Sequence, residues 1–290
     1  GGETDLRSLS GVNMEIIAET LSEAHEGAVD AVLNTSKAID IQTHSDKVEK
    51  TIEFEAEDGS DEIITIKVLH PLQEPQVSAG AMFGEGFTAA YKKQFLTLTP
   101  PREDGMQATY TYWNRLEDFP YTEAWRMADT VYQLKEKNWH ADRVGNGDGK
   151  GLKQITGIIE KLAADANSRR GVAVTWNPSL DMNSTEPPCM DLVQFVIRNG
   201  KVNMRCLFRS QDIMSGLGEN LVGCAAMLLY VTNEINFLAM ENYDVGSLIL
   251  ISAIPHIYHR RDEFELNKMK HEILRKKIFG EWKVKIIRED

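Results

Sequence analysis

The chain has 290 residues, 42% of them hydrophobic and 26% charged, with 21 glycines and 9 prolines, which excludes collagenous, coiled-coil and wholly disordered architectures. The length suits one large domain or two smaller ones. A formal net charge of −12 argues against nucleic acid and anionic membranes as partners, since both are attracted chiefly by a basic surface field; an anionic ligand would need a local arginine cluster.

Residues 1–13 are polar and begin Gly-Gly, and we read them as a leader or added remnant ahead of one domain spanning 14–290. No stretch approaches about 20 uninterrupted apolar residues, and the N-terminus lacks a basic run followed by an apolar one, so the sequence predicts a cytoplasmic protein with no membrane span. An apolar run opens at Met14. Alternation at Thr51–Phe54 and Ile63–Val68, around Asp58-Gly59-Ser60-Asp61, predicts a surface β-hairpin. Helical spacing follows over Phe87–Leu98, Thr122–Lys137 and Gly151–Ala166, the last aligning Leu152, Ile155, Ile158, Ile159 and Leu162. Between the last two, Gly145-Asn146-Gly147-Asp148-Gly149 lacks both the Gly-Lys-Ser/Thr ending of a phosphate loop and the terminal glutamate of an EF-hand, and reads as a connecting turn.

Gly171–Trp176 is a strand candidate, and Leu192–Ile197 pairs with Val202–Phe208 across Asn199-Gly200, a strong hairpin signal. Leu221–Val231 is apolar almost all round and predicts a buried helix against which the sheet packs. Ser247–Ile254 predicts another strand, then come a helix carrying Phe264, Leu266, Met269 and Ile273 and a short strand at Val284–Ile287. Without linker or repeat, this order predicts a single α+β domain, a mixed β-sheet packed against a buried helix with further helices around it.

Cys189, Cys206 and Cys224 show no CxxC spacing and are odd in number, which argues against a disulfide framework or a zinc ribbon and leaves one of them available as a nucleophile. No metal is expected. Four local features carry chemistry. Arg169-Arg170 stands between a helix end and a strand start, where arginines also serve simply to complement the helix terminus. Cys189 follows Pro187-Pro188, whose fixed backbone holds the thiol in a defined direction, although an inert buried cysteine is the commoner use. Arg209-Ser210-Gln211-Asp212 brings a guanidinium, a hydroxyl and a carboxylate to the end of an apolar strand, and Pro255-His256-Ile257-Tyr258 follows another, with His256 and Tyr258 on one face by period-two spacing.

The order and spacing of Ser168-Arg169-Arg170, Thr175-Trp176-Asn177-Pro178, Pro188-Cys189, Gln194-Phe195, Arg209-Ser210-x-Asp212, Asn220 and His256-x-Tyr258 resemble the thymidylate synthase family, including its archaeal branch and its pyrimidine hydroxymethylase relatives. The resemblance covers roughly the last half of the chain; upstream, His70-Pro71-Leu72 and Tyr110-Thr111-Tyr112 match the archaeal branch more loosely. It implies that the Cys189 thiolate adds to carbon 6 of a pyrimidine nucleoside monophosphate, making carbon 5 a nucleophile toward a one-carbon donor, with a guanidinium such as Arg209 favouring the thiolate. Arg209 and Ser210 would bind the phosphate, and Arg169 and Arg170 would reach the neighbouring subunit's site in a homodimer. Asn220 would read the base; a carboxamide suits uracil, and hence dUMP, where an aspartate would suit cytosine. His256 and Tyr258 would hold the ribose, Asp212 would orient the reduced pterin, and Tyr112 would join the catalytic residues. The donor would be 5,10-methylenetetrahydrofolate or an archaeal tetrahydropterin analogue.

The chain also departs from the family. Met190 stands where a histidine usually follows the nucleophile, Phe208 where a glutamine precedes Arg209, Gly218-Glu219 where a Pro-Phe pair precedes Asn220, and Trp113 where a glycine follows Tyr112. Gln94 aligns with the general-base glutamate, which an amide cannot replace; Glu85 is a substitute candidate. The charged C-terminus lacks the apolar tail whose closure would exclude water. That keeps a 5-hydroxymethylase acting on dUMP, dCMP or CMP as the alternative to methylation, with a non-catalytic nucleotide-binding homologue as a third reading.

Overall fold

The protein is represented by a computed structural model that describes residues 13–35, 37–42, 54–59, 63–99, 110–122, 143–144, 149–184 and 186–288. In chain order the elements are β1 (Met14–Ala18), α1 (Leu21–Thr35), β2 (Lys37–Gln42), β3 (Phe54–Gly59), β4 (Ile64–Val68), α2 (Glu85–Phe95), α3 (Tyr112–Glu117), β5 (Tyr121–Thr122), β6 (Arg143–Val144), α4 (Gln154–Ala164) and β7 (Gly171–Val174). They continue with α5 (Pro178–Asp181), β8 (Met190–Arg198), β9 (Lys201–Phe208), β10 (Gln211–Asp212), α6 (Gly216–Ala239), β11 (Asp244–Ser252), β12 (Pro255–Ile257), α7 (Glu263–Ile278) and β13 (Lys285–Arg288). Parallel and antiparallel pairings mixed with helices make this an α+β fold, as the order of elements predicts. Two compact units divide the chain, one drawn from 1–90, 205–225 and 246–290, the other from 91–204 and 226–245.

In the first unit β1 runs parallel to β4 and antiparallel to β13, and β4 pairs antiparallel with β11. The strict alternation of burial along β1 and β4 turns Met14, Ile16 and Ala18, and Ile64, Ile66 and Val68, to the core. Each of these side chains except that of Ala18 contributes about 1.5–3 kcal/mol by leaving water. Helix α1 covers them with Leu21, Ala24, Ala28, Val29 and Val32. Gly27 allows the close approach: a Cβ there would lie 2.6 Å from Val284 Cγ1 and 2.9 Å from Ile16 Cγ2. A methyl at Gly27 therefore forces neighbours apart, at a cost of about 1–3 kcal/mol. Helix α7 buries Leu266, Met269 and Ile273 and ties back to α1 through Lys276 to Glu26 and Lys277 to Asp30, each at 2.7 Å. A second sheet in this unit has the order β10-β12-β3-β2.

The surface hairpin expected over 51–68 does not form. β3 pairs with β2 and β12, whereas β4 pairs with β1 and β11 in the other sheet; residues 51–53 lie outside the described set. Ile64, Ile66 and Val68 gain more by filling a central strand than by covering one side of a hairpin. The expected strand Ser247–Ile254 divides at Ser252: Ile254 is exposed, and the chain starts afresh as β12. Phe264 points to solvent, 72% exposed, while the apolar spacing of α7 is kept by its other three predicted core residues.

In the second unit β7 and β8 are antiparallel, and α4 lays Ile155, Ile158, Ile159 and Leu162 in the core. The turn from β8 to β9 has positive φ at both Asn199 (52°) and Gly200 (72°), the geometry a two-residue hairpin needs to match strand twist. Arg115 of α3 forms a bidentate bridge to Asp181 at 3.0 and 2.9 Å, with both side chains almost fully buried. Of the expected helix Thr122–Lys137, Thr122 belongs to β5 and 123–137 lie outside the described residues, as do 145–148 of the glycine-rich turn. Residues 216–225 of α6 belong to the first unit, where Cys224 Sγ sits 3.8 Å from Cys206 Sγ of β9, and 226–239 to the second. Alone among the described helices, α6 is long and apolar enough to cross a membrane, but more than half of its apolar stretch is buried inside the protein.

Candidate active site

In the first unit, three backbone bonds lace the segment after β9 to the segment after β11: Ala253 N to Phe208 O (2.9 Å), Gln211 N to Ile254 O (3.0 Å) and Ile213 N to His256 O (2.8 Å). They create the short parallel pair β10–β12, with Asp212 opposite His256. Arg209 and Ser210 fall in the bend and stay half-buried. One Asp212 oxygen accepts from Ser215 N at 3.0 Å and so satisfies a backbone donor ahead of α6. Asn220, in the opening turns of that helix, is 8% exposed and donates from Nδ2 to Gln211 Oε1 at 3.3 Å. His256 and Tyr258 stand edge to face with ring centroids 5.0 Å apart, as their spacing predicts. Thus Arg209, Ser210, Asp212, Asn220, His256 and Tyr258 belong to one constellation.

Sequence reasoning missed four contributors. Arg261 donates to Asp212 Oδ2, Ser215 Oγ and both Asp262 oxygens, each at 2.6 Å, and lies 4.4 Å from the Tyr258 ring centroid. Burial alone would lower its pKa, but the bonds to Asp262 and Asp212 outweigh it and hold the guanidinium above its usual range. Gln211, inside the Arg-Ser-x-Asp motif, is 2% exposed. His25 of α1 reaches the carbonyls of Ile213 (2.9 Å) and Met214 (3.2 Å) through Nε2. Two acceptors facing one nitrogen require a proton on it. Burial lowers the pKa of His25 against the raising effect of those carbonyls and of Asp212. Glu219 is half-buried, and its carboxyl is raised first by burial and then by the charge of Asp212. No local pattern marks Arg261 or His25, whose contacts with Asp212, Ser215, Ile213 and Met214 are all distant in sequence.

These contacts also account for one family departure. A Cβ at Gly218 would sit 3.0 Å from His25 Nδ1 and 3.1 Å from Phe83 Cζ, so a proline ring here would press both side chains aside, whereas glycine fits as they stand. Trp113 likewise replaces a glycine because it is a core residue here, 6% exposed and edge-on to Tyr230 at 5.6 Å.

In the second unit, Pro188 is buried and Cys189 half-buried, just ahead of β8. The segment is anchored by Thr175, whose hydroxyl donates to Met190 O and whose N–H donates to Asp191 O at 2.9 Å. Cys206 and Cys224 are buried, and burial with mutual proximity pushes the Cys206 thiol well up, so Cys189 is the accessible thiol of the three. Arg169 and Arg170 are exposed before β7, and among the described residues neither guanidinium has a partner; their backbone carbonyls are held by Gln194 Nε2 (3.2 Å) and Lys161 Nζ (3.3 Å). Tyr112 opens α3 and lies 5.8 Å from Tyr110 and 6.2 Å from Phe95, ring to ring. Gln94 is exposed near the end of α2, and Glu85 is that helix's first residue.

A family model described as Thymidylate synthase matches residues 102–287. A curated "Putative thymidylate synthase" of Methanosarcina barkeri is 37% identical over 142 residues, covering 49% of this chain and 54% of that protein. A "Thymidylate synthase" of Listeria innocua is 27% identical over 148 residues, covering 51% of this chain and 44% of its own. The chain thus spans about half the length of the curated relatives it matches. The crystal structure of thymidylate synthase from T4 phage shares the fold, with a TM-score of 0.53 at 19% identity over 82% of this chain and 77% of that one.

Proposed function

The chain belongs to the thymidylate synthase family, and from that premise we propose that it transfers a one-carbon unit to carbon 5 of dUMP, giving dTMP. The observation that carries this reading is the constellation along β10, β12 and the start of α6, where backbone bonding gathers Arg209-Ser210, Asp212 and His256, and side-chain contacts add Asn220 and Tyr258. Arg209 and Ser210 bind the phosphate by charge-assisted hydrogen bonds. Asn220 offers one acceptor and one remaining donor to the uracil edge, and His256 and Tyr258 hold the ribose. The Cys189 thiolate adds to carbon 6 and is expelled at the end, with Tyr112 assisting.

A carboxylate has about four lone-pair sites. Ser215 N and Arg261 take one on each Asp212 oxygen, leaving two acceptors side by side, which fits the adjacent N–H donors of a reduced pterin. Such a donor, 5,10-methylenetetrahydrofolate or a tetrahydropterin analogue, supplies the carbon and the hydride. Two observations support a homodimer with Arg169 and Arg170 serving the partner's site: both guanidiniums are exposed without a described partner, and Val172 and Val174 leave an apolar face on β7, 41% and 38% exposed. The synthase names of the matched relatives and the carboxamide at Asn220 weigh against the hydroxymethylase, and the accessible Cys189 weighs against a non-catalytic homologue.

The test is product analysis by mass spectrometry after incubation with dUMP, dCMP or CMP and methylenetetrahydrofolate or an archaeal pterin donor. We expect dTMP with dihydropterin from dUMP; a hydroxymethylated base with tetrahydropterin, or no product despite nucleotide binding, overturns the reading.

A further inference from the structure

Gln211 and Asn220 are both nearly sealed from solvent, 2% and 8% exposed, and each ends in an amide whose oxygen and nitrogen could in principle exchange places. The structure removes that freedom in two steps. Gln211 Nε2 donates to the backbone carbonyl of Asp212 at 3.2 Å. A carbonyl only accepts, so the amide nitrogen must be the end that faces it, and Oε1 must be the other. Oε1 then faces Asn220 and accepts from Nδ2 at 3.3 Å. An oxygen cannot replace that nitrogen without setting two acceptors against each other in a buried place. The fixed polarity of one backbone carbonyl is therefore passed through Gln211 to Asn220.

The consequence lies in the base edge that Asn220 can meet. Uracil presents N3–H, a donor, beside O4, an acceptor; cytosine presents N3, an acceptor, beside its amino group, a donor. A carboxamide can match either pattern, but each requires the opposite flip. We propose that Gln211 is a specificity-determining residue, which by locking the Asn220 amide in one flip selects the uracil edge and rejects the cytosine edge. This rests on the reading of Asn220 as the base reader of a pyrimidine nucleotide. Gln211 acts through Asn220 and is thus a positioning residue, with no contact to substrate required.

The test measures dUMP and dCMP affinities by calorimetry on the full chain, without pterin, with a thermal melt to verify folding. Wild type should prefer dUMP. Gln211→Leu keeps the size but removes both the anchor and the acceptor, so the dUMP preference should fall at least about tenfold, since discrimination of this kind depends on a site that cannot re-pair with the wrong edge. Gln211→Glu keeps an acceptor facing Asn220 Nδ2 and, with its carboxyl protonated in this buried place, an O–H donor for the Asp212 carbonyl, and should retain the preference at a pH low enough to protonate it. Gln211→Met replaces the leucine variant if that does not fold. A folded Gln211→Leu or Gln211→Met protein with the wild-type preference, or a wild type that prefers dCMP, overturns the inference. A wild type that binds neither nucleotide overturns the nucleotide reading itself, and this inference with it.

Discussion

Asp181→Ala should be among the most damaging single substitutions away from the nucleotide constellation. The Asp181 and Arg115 side chains are only 3% and 5% exposed, and the carboxylate takes two guanidinium bonds and the backbone N–H of Asn177 at 2.6 Å. Deleting it strands a buried cation, a change that costs about 3–5 kcal/mol. At about 2–4 °C per kcal/mol for a protein of this size class, the melting temperature should fall by roughly 6–20 °C. The bridge as a whole is worth far less than either half. Arg115 Nε already lacks a partner among the described residues, a defect of about 1–3 kcal/mol, so Arg115→Met with Asp181→Leu should recover part of the loss, the Asn177 N–H still lacking its acceptor. The exposed pair Arg275–Glu281, with side chains 43% and 53% exposed, is the control: Glu281→Ala should cost no more than about 1 kcal/mol. Thermal and guanidinium unfolding followed by tryptophan fluorescence would measure all three, with Trp113 next but one to Arg115 as a reporter. An Asp181→Ala melt within about 2 °C of wild type would refute the reasoning, as would a double variant no more stable than the single.

Cys189→Ser should abolish turnover and leave nucleotide binding largely intact, measured by dTMP formation and calorimetry; near-normal turnover removes Cys189 from the chemistry. Mixing inactive Cys189→Ser with inactive Arg169→Ala/Arg170→Ala under subunit exchange should restore activity, up to about half the wild-type level per heterodimer, because one of its two sites is then intact; verified heterodimers that stay inactive refute the shared site. His25 enters the fold with its pKa below the ordinary histidine value, so the unfolded chain binds the proton more readily. Its contribution is complete above the unfolded pKa of about 6.5 and is lost as pH falls below it. His25→Gln keeps a donor for the two carbonyls without that proton, and should therefore lose less melting temperature than wild type between about pH 7.5 and 5; equal losses would contradict the assignment.

Much of the candidate site was legible in the sequence because its motifs are short and ordered along the chain. Arg209-Ser210-x-Asp212, Asn220 and His256-x-Tyr258 could be named from spacing and resemblance, and the Asn199-Gly200 turn, the apolar α6 and the α4 stripe depend on neighbours a few residues away. Strand partners were not legible. Ile64–Val68 and Phe54–Gly59 sit next to each other in sequence, yet they join different sheets because β4 is taken up by β1 and β11, and β3 by β2 and β12. Alternation records which face is buried but says nothing of what lies beside it.

The same limit applies to chemistry. Sequence by itself determined the types of group available: three thiols, a double arginine, a carboxamide at Asn220 and an aspartate at Asp212. Only the tertiary structure decided which of them are accessible, paired or oriented. It left Cys189 half-open and buried Cys206 against Cys224, set Arg261 on Asp212 and Asp262, and packed His25 and Phe83 closely against Gly218. The physical reason is that burial, hydrogen-bond polarity and charge pairing depend on distances of a few ångströms between residues as far as 250 positions apart, as Glu26 and Lys276 are, and no local pattern in the chain encodes such distances.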